Sequence, residues 1–426
     1  MLSIHELTAT EVLDSRSRPT LDVRLTLDDG REVAAGVPSG ASTGSREAVE
    51  RRDGDPARFG GAGVLEAVAA AEGEIADLLC GRAWASQRDL DSALVALDAT
   101  PNKSRLGANA VVGVSMAAAR AFALVANRPL YRSLADEPAL SGAVPRLPVP
   151  HFNVLNGGVH APNELEFQEF MIAPLGATSL PDAVRAGAEV YAALRRRLAA
   201  AGFATGLGDE GGFAPEVRTP EDACQVIVTA ITDAGYEPGP AGVALALDPA
   251  ASEFRADDGS YQVGGERLSS GQMIERYVAL VDRFPIHSIE DGLAEDDDEG
   301  WKALTDRLGG RVQLVGDDNF VTNPEIIARA ITAGIANAAL IKLNQVGTVA
   351  ETLDALRLCR DRGYGAMVSH RSGETTDDFI ADLTVAAGCG QLKSGAPARG
   401  ERVAKYNRLL AISRSDPSLP YGLPPK

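Results

Sequence analysis

The stretch Ala366-Met367-Val368-Ser369-His370-Arg371-Ser372-Gly373-Glu374 decides how this chain is read. A short apolar run stops abruptly in His, Arg, Ser and Gly. That is the pattern of a buried strand delivering hydrogen-bond donors and a permanent positive charge to its C-terminal lip. The planar guanidinium of Arg371 bonds two oxygens at once, which suits a phosphate or a carboxylate. One arginine at one strand end is ordinary, but several other apolar runs in the same half end in the same way.

Strand candidates end near Ala173, Asp248, Glu290, Asp317, Lys342, His370 and Lys393. From Asp248 onward the ends are roughly 23 to 42 residues apart, the size of one strand–helix unit. Runs apolar on both faces imply parallel strands covered by helices. About eight such units close a barrel, so periodicity predicts an all-parallel one. The helix after Ala173 shows the grammar. Ser179-Leu180-Pro181-Asp182 caps its start, Val184, Ala188, Tyr191, Leu194 and Leu198 mark one face, and Gly202 stops it.

The first part of the chain has an α+β texture. Leu21 to Leu27 alternates as a half-buried strand, Asp29-Gly30 turns, and Glu32 to Val37 returns. Helical stretches follow near 62–80 and 107–127. The proline-studded segment Pro138 to Pro150 then reads as a linker. The expected division is an α+β domain over 1–137, a linker over 138–150 and a catalytic α/β barrel over 151–426.

The 426 residues suffice for two domains with large cores. A net charge of −18 argues against nucleic acid or an anionic membrane as the main partner, since both reward basic patches. It does not exclude a small anionic substrate. Cys80, Cys224, Cys359 and Cys389 are widely spaced and form no metal-ligand pattern, as expected of reduced thiols in the cytoplasm. The N-terminus has no signal-like segment, and the most apolar stretch, Ala110 to Ala126, reads as a buried helix rather than a membrane span.

In a barrel the strand ends meet at one face, where barrel enzymes keep their chemistry. A single Asp there is more often a helix cap. Asp248, Glu290 and Asp317 each follow a buried run, and three converging carboxylates repel one another unless a cation sits between them. Hard oxygen ligands favour Mg²⁺. Lys342 and Lys393 also emerge from apolar strands. Burial and neighbouring cations would each lower a lysine's pKa, so such a lysine is expected to act as a general base near neutral pH. Gly208-Asp209-Glu210-Gly211-Gly212 is a glycine-flanked acidic turn, and Gln168-Glu169 adds a carboxylate on an early barrel strand. Asn156 to His160 and Pro38 to Gly44 are small-residue loops suited to closing over a ligand.

Taken in order, Val37 to Gly44, Leu106 to Ala110, Asn156 to His160, Gln168 to Ile172, Gly208 to Gly212, Ser288 to Gly292, Gly316 to Asp318, Ile341 to Gln345, Ser369 to Glu374 and Lys393 to Ala396 resemble the enolase family over nearly the whole chain. The resemblance implies a small N-terminal α+β domain followed by an α/β barrel, an enolase-type (β/α)8 barrel with an irregular ββαα start whose second strand runs antiparallel. It implies the reversible dehydration of 2-phosphoglycerate to phosphoenolpyruvate. It implies two Mg²⁺ per active site, the first held by Asp248, Glu290 and Asp317, the second arriving with substrate and ligated with help from Ser42. Lys342 would be the base, and Lys393 an electrostatic partner that also holds the substrate carboxylate. Glu210, assisted by Glu169, would protonate the departing hydroxyl. Arg371 and Ser372 would hold the phosphate, His160 would close over the substrate, and Gln168 and His370 would line the pocket. A cytoplasmic homodimer is implied as well.

The chain departs from the family pattern at several points. Where the family reads Asp-Ser-Arg-Gly-Asn-Pro, this chain reads Asp14-Ser15-Arg16-Ser17-Arg18-Pro19. Losing Gly matters if that position needs positive φ. Pro249 after Asp248, and His151-Phe152, also differ. The family's interface ion pairs are replaced by Thr10, Ala411 and Ser413, with Asp22 left over. Two other readings stay open: a secondary-metabolism paralogue resembling carboxyphosphonoenolpyruvate synthase, and a surface or secreted role binding plasminogen through the terminal Lys426.

Overall fold

A computed structural model describes residues 1–41 and 44–425. Ser42 and Lys426 lie outside the described residues.

The alternating apolar residues near the N-terminus build a four-stranded sheet. Strand β1 (Leu2–Leu13) pairs antiparallel with β2 (Pro19–Leu27), β2 with β3 (Glu32–Gly36), and β1 on its other edge with β4 (Ala83–Trp84). Helix Ala108–Val125 covers this sheet. It approaches closely at Gly113, where an added Cβ would lie 2.7 Å from the Val23 side chain. This helix is long and apolar enough to cross a membrane, yet 78% of it is buried inside the protein. The helical stretch expected over 62–80 is interrupted. Helices Leu65–Ala70 and Ala76–Leu79 flank a π turn in which Gly73 leaves helical backbone.

Eight further strands close into a barrel. In chain order they are β5 (Val149–Asn156), β6 (Glu169–Ala173), β7 (Ala244–Asp248), β10 (Ile286–Glu290), β11 (Gln313–Gly316), β12 (Ala338–Ile341), β13 (Gly365–Ser369) and β14 (Gln391–Lys393). Between β7 and β10 lies a hairpin of β8 (Tyr261–Val263) and β9 (Glu266–Leu268). Around the barrel the order is β10-β11-β12-β13-β14-β5-β6-β7. All neighbours are parallel except at β6, which runs antiparallel to both β5 and β7. The all-parallel barrel expected from periodicity is therefore corrected, and the antiparallel second strand implied by family resemblance is found. A five-residue strand buried on both faces carries no mark of direction, which explains the miss.

Helix Leu180–Ala200 begins as its sequence dictates, with the Ser179 side chain accepting the backbone N–H of Asp182. It packs on β5 through Gly187, where a Cβ would fall 2.3 Å from the Phe152 ring. The final helix, Gly400–Ser415, buries Arg402, Lys405, Tyr406, Leu409 and Ile412 on one face. Two cations on that apolar face have consequences for the site.

Candidate active site

The strand ends bring the predicted residues to one rim. Asp248 and Glu290 close β7 and β10, and Asp317 follows β11, so the three acids come from consecutive staves. Lys342 follows β12, His370-Arg371-Ser372 follow β13, and Lys393 closes β14. Because β6 is reversed, its first residue, Glu169, reaches the same rim. One cavity is lined by His160, Gln168, Glu169, Glu210, Asp248, Asp317, Lys342, His370, Arg371, Ser372 and Lys393. Every predicted site residue inside the described chain is thus in it or, for Glu290, bonded to a residue in it.

Around the barrel β12 and β6 are separated by half the circumference. Lys342 and Glu169 therefore face each other across the pocket. Glu210 joins the Glu169 side. Its Oε2 accepts from Asn153 Nδ2 at 3.0 Å and lies 3.1 Å from His370 Nε2. His160 Nδ1 stands 3.9 Å from Glu169 and 4.0 Å from Glu210.

The charges are densely coupled. Lys393 Nζ lies 2.9 Å from Asp248, 2.8 Å from Glu290 and 3.1 Å from Glu169. Burial opposes its charge, but Asp248 and its fellow acids prevail and hold its pKa well above the ordinary lysine value. Lys342 is ion-paired to Asp317. Burial again works against the ammonium, and Asp317 outweighs it, so the Lys342 pKa is raised. The lowered pKa expected for these lysines is therefore corrected: in this state each has carboxylates closer than any cation. Burial, followed by the charge of Glu210, pushes Glu169 well above the usual carboxylate range. His370 is driven down to about 3, first by burial.

The predicted metal trio fits a hard divalent ion by its chemistry. The three carboxylates are buried together, burial and the charge of Asp248 raise Glu290 well above its ordinary value, and Glu290 Oε2 is buried without a hydrogen-bond partner among the described residues. The trio is not, however, one of the groups whose ligand atoms lie within 4.8 Å of one another. Among the described residues those are His160, Glu169 and Glu210, and separately Asp291, Asp317 and Asp318. Lys393 reaches both Asp248 and Glu290, and Lys342 engages Asp317. Asp291 is itself committed, accepting the backbone N–H groups of Asp317 at 2.8 Å and Asp318 at 3.1 Å.

Several residues of the site escaped the sequence reading. Arg371 is held by Glu47 at 3.0 Å and Asn344 at 2.8 Å. Gln345 donates to Asp317 at 2.8 Å. Asn153 and Arg402 brace Glu210 and His370. The signal for Arg402 was present in its helix, as a cation at an apolar position of the repeat. Glu47 gave none, because its partner is far away in the chain, and Asn344 stood in the stretch Ile341 to Gln345 without an assigned role.

The N-terminal part contributes directly to the rim. Ser39 and Gly373 exchange backbone hydrogen bonds of 2.7 and 2.9 Å, and the backbone N–H of Ser15 donates to the Glu374 carbonyl at 2.8 Å. Asp14 lies so close to Gly373 that a Cβ there would sit 2.2 Å from its carboxylate.

Two family descriptions match the chain: "Enolase, N-terminal domain" over residues 4–134 and "Enolase, C-terminal TIM barrel domain" over residues 145–416. A protein named enolase from Rubrobacter xylanophilus is 54% identical over 417 residues, covering 97% of this chain and 95% of its own. Another of that name from Acidothermus cellulolyticus is 54% identical over 412 residues, with 97% and 94% covered. Fold, rim and relatives agree, and the chain belongs to the enolase family.

Proposed function

We propose that this chain catalyses the reversible dehydration of 2-phosphoglycerate to phosphoenolpyruvate at the barrel rim. The observation that carries this reading is the placement of Lys342 and the Glu169/Glu210 pair on opposite sides of one pocket. A substrate bound between them presents its C2 hydrogen to the lysine and its C3 hydroxyl to the glutamates. That is the arrangement anti elimination needs.

Lys342 is the base. It is competent only once the charge of Asp317 is engaged by another cation, since the present pairing keeps its proton on. Asp248, Glu290 and Asp317, with Ser42 for a second ion, are the residues that would hold magnesium. When bound, magnesium supplies the positive charge that a doubly ionised substrate carboxylate requires. Lys393 adds a fixed positive charge beside that carboxylate. The proton for the leaving hydroxyl comes from the Glu169/Glu210 pair. Arg371 and Ser372 hold the phosphate, with Glu47 exchanging its bonds to Arg371 for the incoming anion. His160 and Gln168 enclose the substrate.

The test separates the two half-reactions. Lys342→Ala should abolish exchange of the C2 proton with solvent, and Glu210→Gln should keep exchange while losing dehydration by about a hundredfold or more. Exchange at the native rate in Lys342→Ala would overturn the assignment. Removing divalent metal should silence both readouts.

The proposal extends to organisation. We propose domains over 1–137 and 151–426 joined by a linker over 138–150; the two family matches, ending at 134 and beginning at 145, support a boundary in that region. We further propose a cytoplasmic homodimer held mainly by apolar contacts, to be checked by light scattering at micromolar concentration. Plasminogen binding would rest on Lys426 alone and is tested by pull-down with that residue removed.

A further inference from the structure

Arg402 sits in the first turn of helix Gly400–Ser415 and is completely buried. Its guanidinium gathers three segments of the rim. Nη1 contacts His370 Nδ1 at 2.6 Å and donates to the Arg371 carbonyl at 2.6 Å. Nη2 donates to the carbonyls of Ser372 at 2.5 Å and Asp209 at 3.2 Å, and to Ser15 Oγ at 3.3 Å. Closure around it is tight, because a Cβ at Gly395 would meet Arg402 Cδ at 2.8 Å.

A guanidinium offers only donors and keeps its protons throughout the working pH range. The ring nitrogen facing it must therefore accept. Nδ1 of His370 carries no proton, and the single proton of the neutral ring lies on Nε2. Nε2 faces Glu210 Oε2 at 3.1 Å, off the line of an ideal hydrogen bond. A second proton on Nδ1 would set N–H against N–H, so the imidazolium is disfavoured as well. Glu210 Oε2 thereby has two donors turned towards it, Asn153 Nδ2 and His370 Nε2. That leaves Oε1, on the His160 side, to carry a transferable proton.

We propose that Arg402 is a positioning residue that locks His370 as the neutral Nε2–H tautomer, and so reserves Oε1 of Glu210 for proton transfer to the leaving hydroxyl. His370 is then a fixed donor and takes no proton during the cycle. The inference rests on the functional reading above, but its first test needs no turnover.

Nitrogen-15 NMR of histidine-labelled protein should show one ring with an unprotonated Nδ1 that does not titrate between about pH 5 and 8. Its assignment comes from loss of the signal in His370→Gln. In Arg402→Met that ring should regain a mixed tautomer or titrate. Arg402→Lys, which restores a donor cation, should recover much of the native signature. With substrate, Arg402→Met should slow dehydration more than C2 exchange, raising the ratio of exchange to dehydration by about tenfold. A purely structural loss would lower both together. A His370 found protonated on Nδ1 in the native protein overturns the proposal, and so does an Arg402→Met variant with native tautomer and native ratio. If the Met variant fails to fold, the native spectrum and the Lys variant still decide. Absent turnover in the native enzyme beside the expected spectrum would instead indict the functional reading.

Discussion

Ser17 stands where the family has glycine, and its backbone explains the preference: φ is 61°, in the left-handed region. The turn is pinned from both sides. The Asp14 carboxylate accepts the N–H groups of Arg16 at 2.8 Å and Arg18 at 2.9 Å. A left-handed non-glycine residue costs about 1–2 kcal/mol, and glycine gives back about 0.5–1 in unfolded-chain entropy. Ser17→Gly should therefore raise stability by up to ~1 kcal/mol, seen as a higher denaturant midpoint with unchanged slope; a lower midpoint would show that the hydroxyl makes a bond worth more than the strain. At this scale the sequence was informative wherever a charged residue followed directly on an apolar run, which is why Asp248, Glu290, Lys342 and Lys393 were recognisable. It misled on the charge state of Lys342, whose pKa is raised and not lowered. That depends on Asp317, a residue from the neighbouring stave whose distance no linear pattern encodes.

The elements of the barrel are set by how closely they can approach. Helix Leu180–Ala200 reaches β5 only because Gly187 leaves room for the fully buried ring of Phe152. Gly187→Leu should destabilise by about 1–3 kcal/mol through overpacking, measured by thermal melting, whereas Gly187→Ala should cost less if the ring can shift. A neutral Gly187→Leu would mean the helix is free to slide outward. Helix limits such as Ser179 to Ala200 were readable from caps and periodicity, which act within a few residues. The break at Gly73 was not, because a π turn keeps nearly the same apolar spacing as the helix around it. The reversal of β6 was equally hidden, and only the family resemblance carried it.

At the scale of the whole molecule, the N-terminal sheet and its covering helix are clamped to the barrel by a buried ion pair. Arg120 donates to Asp377 with bonds of 2.5 and 2.9 Å, and Asp377 also accepts the N–H groups of Gly36 at 3.0 Å and Phe379 at 2.8 Å. Burial alone would raise the Asp377 pKa; Arg120 reverses this and holds it below the ordinary value. A depressed carboxylate pKa stabilises the fold fully above its unfolded value near 4, and that contribution is lost as pH falls through the folded value. Asp377→Asn should thus cost about 3 kcal/mol at neutral pH and flatten the acid limb of the stability profile. An unchanged acid limb would place the linkage elsewhere. The pairing at this junction could not be read from the sequence: Arg120 stands out as a cation inside an apolar helix, but its partner Asp377 is hundreds of residues away and looks like an ordinary surface charge. The backward course of β6 has an evolutionary consequence of its own. The segment from 157 to 168 departs from the rim and returns to it, instead of crossing to the far end as the connections between the parallel staves do. Lengthening such a segment changes closure entropy only logarithmically and shifts no stave. Descendants of this scaffold are therefore free to vary their substrate gate in size here, while the staves that hold the reacting groups stay in register.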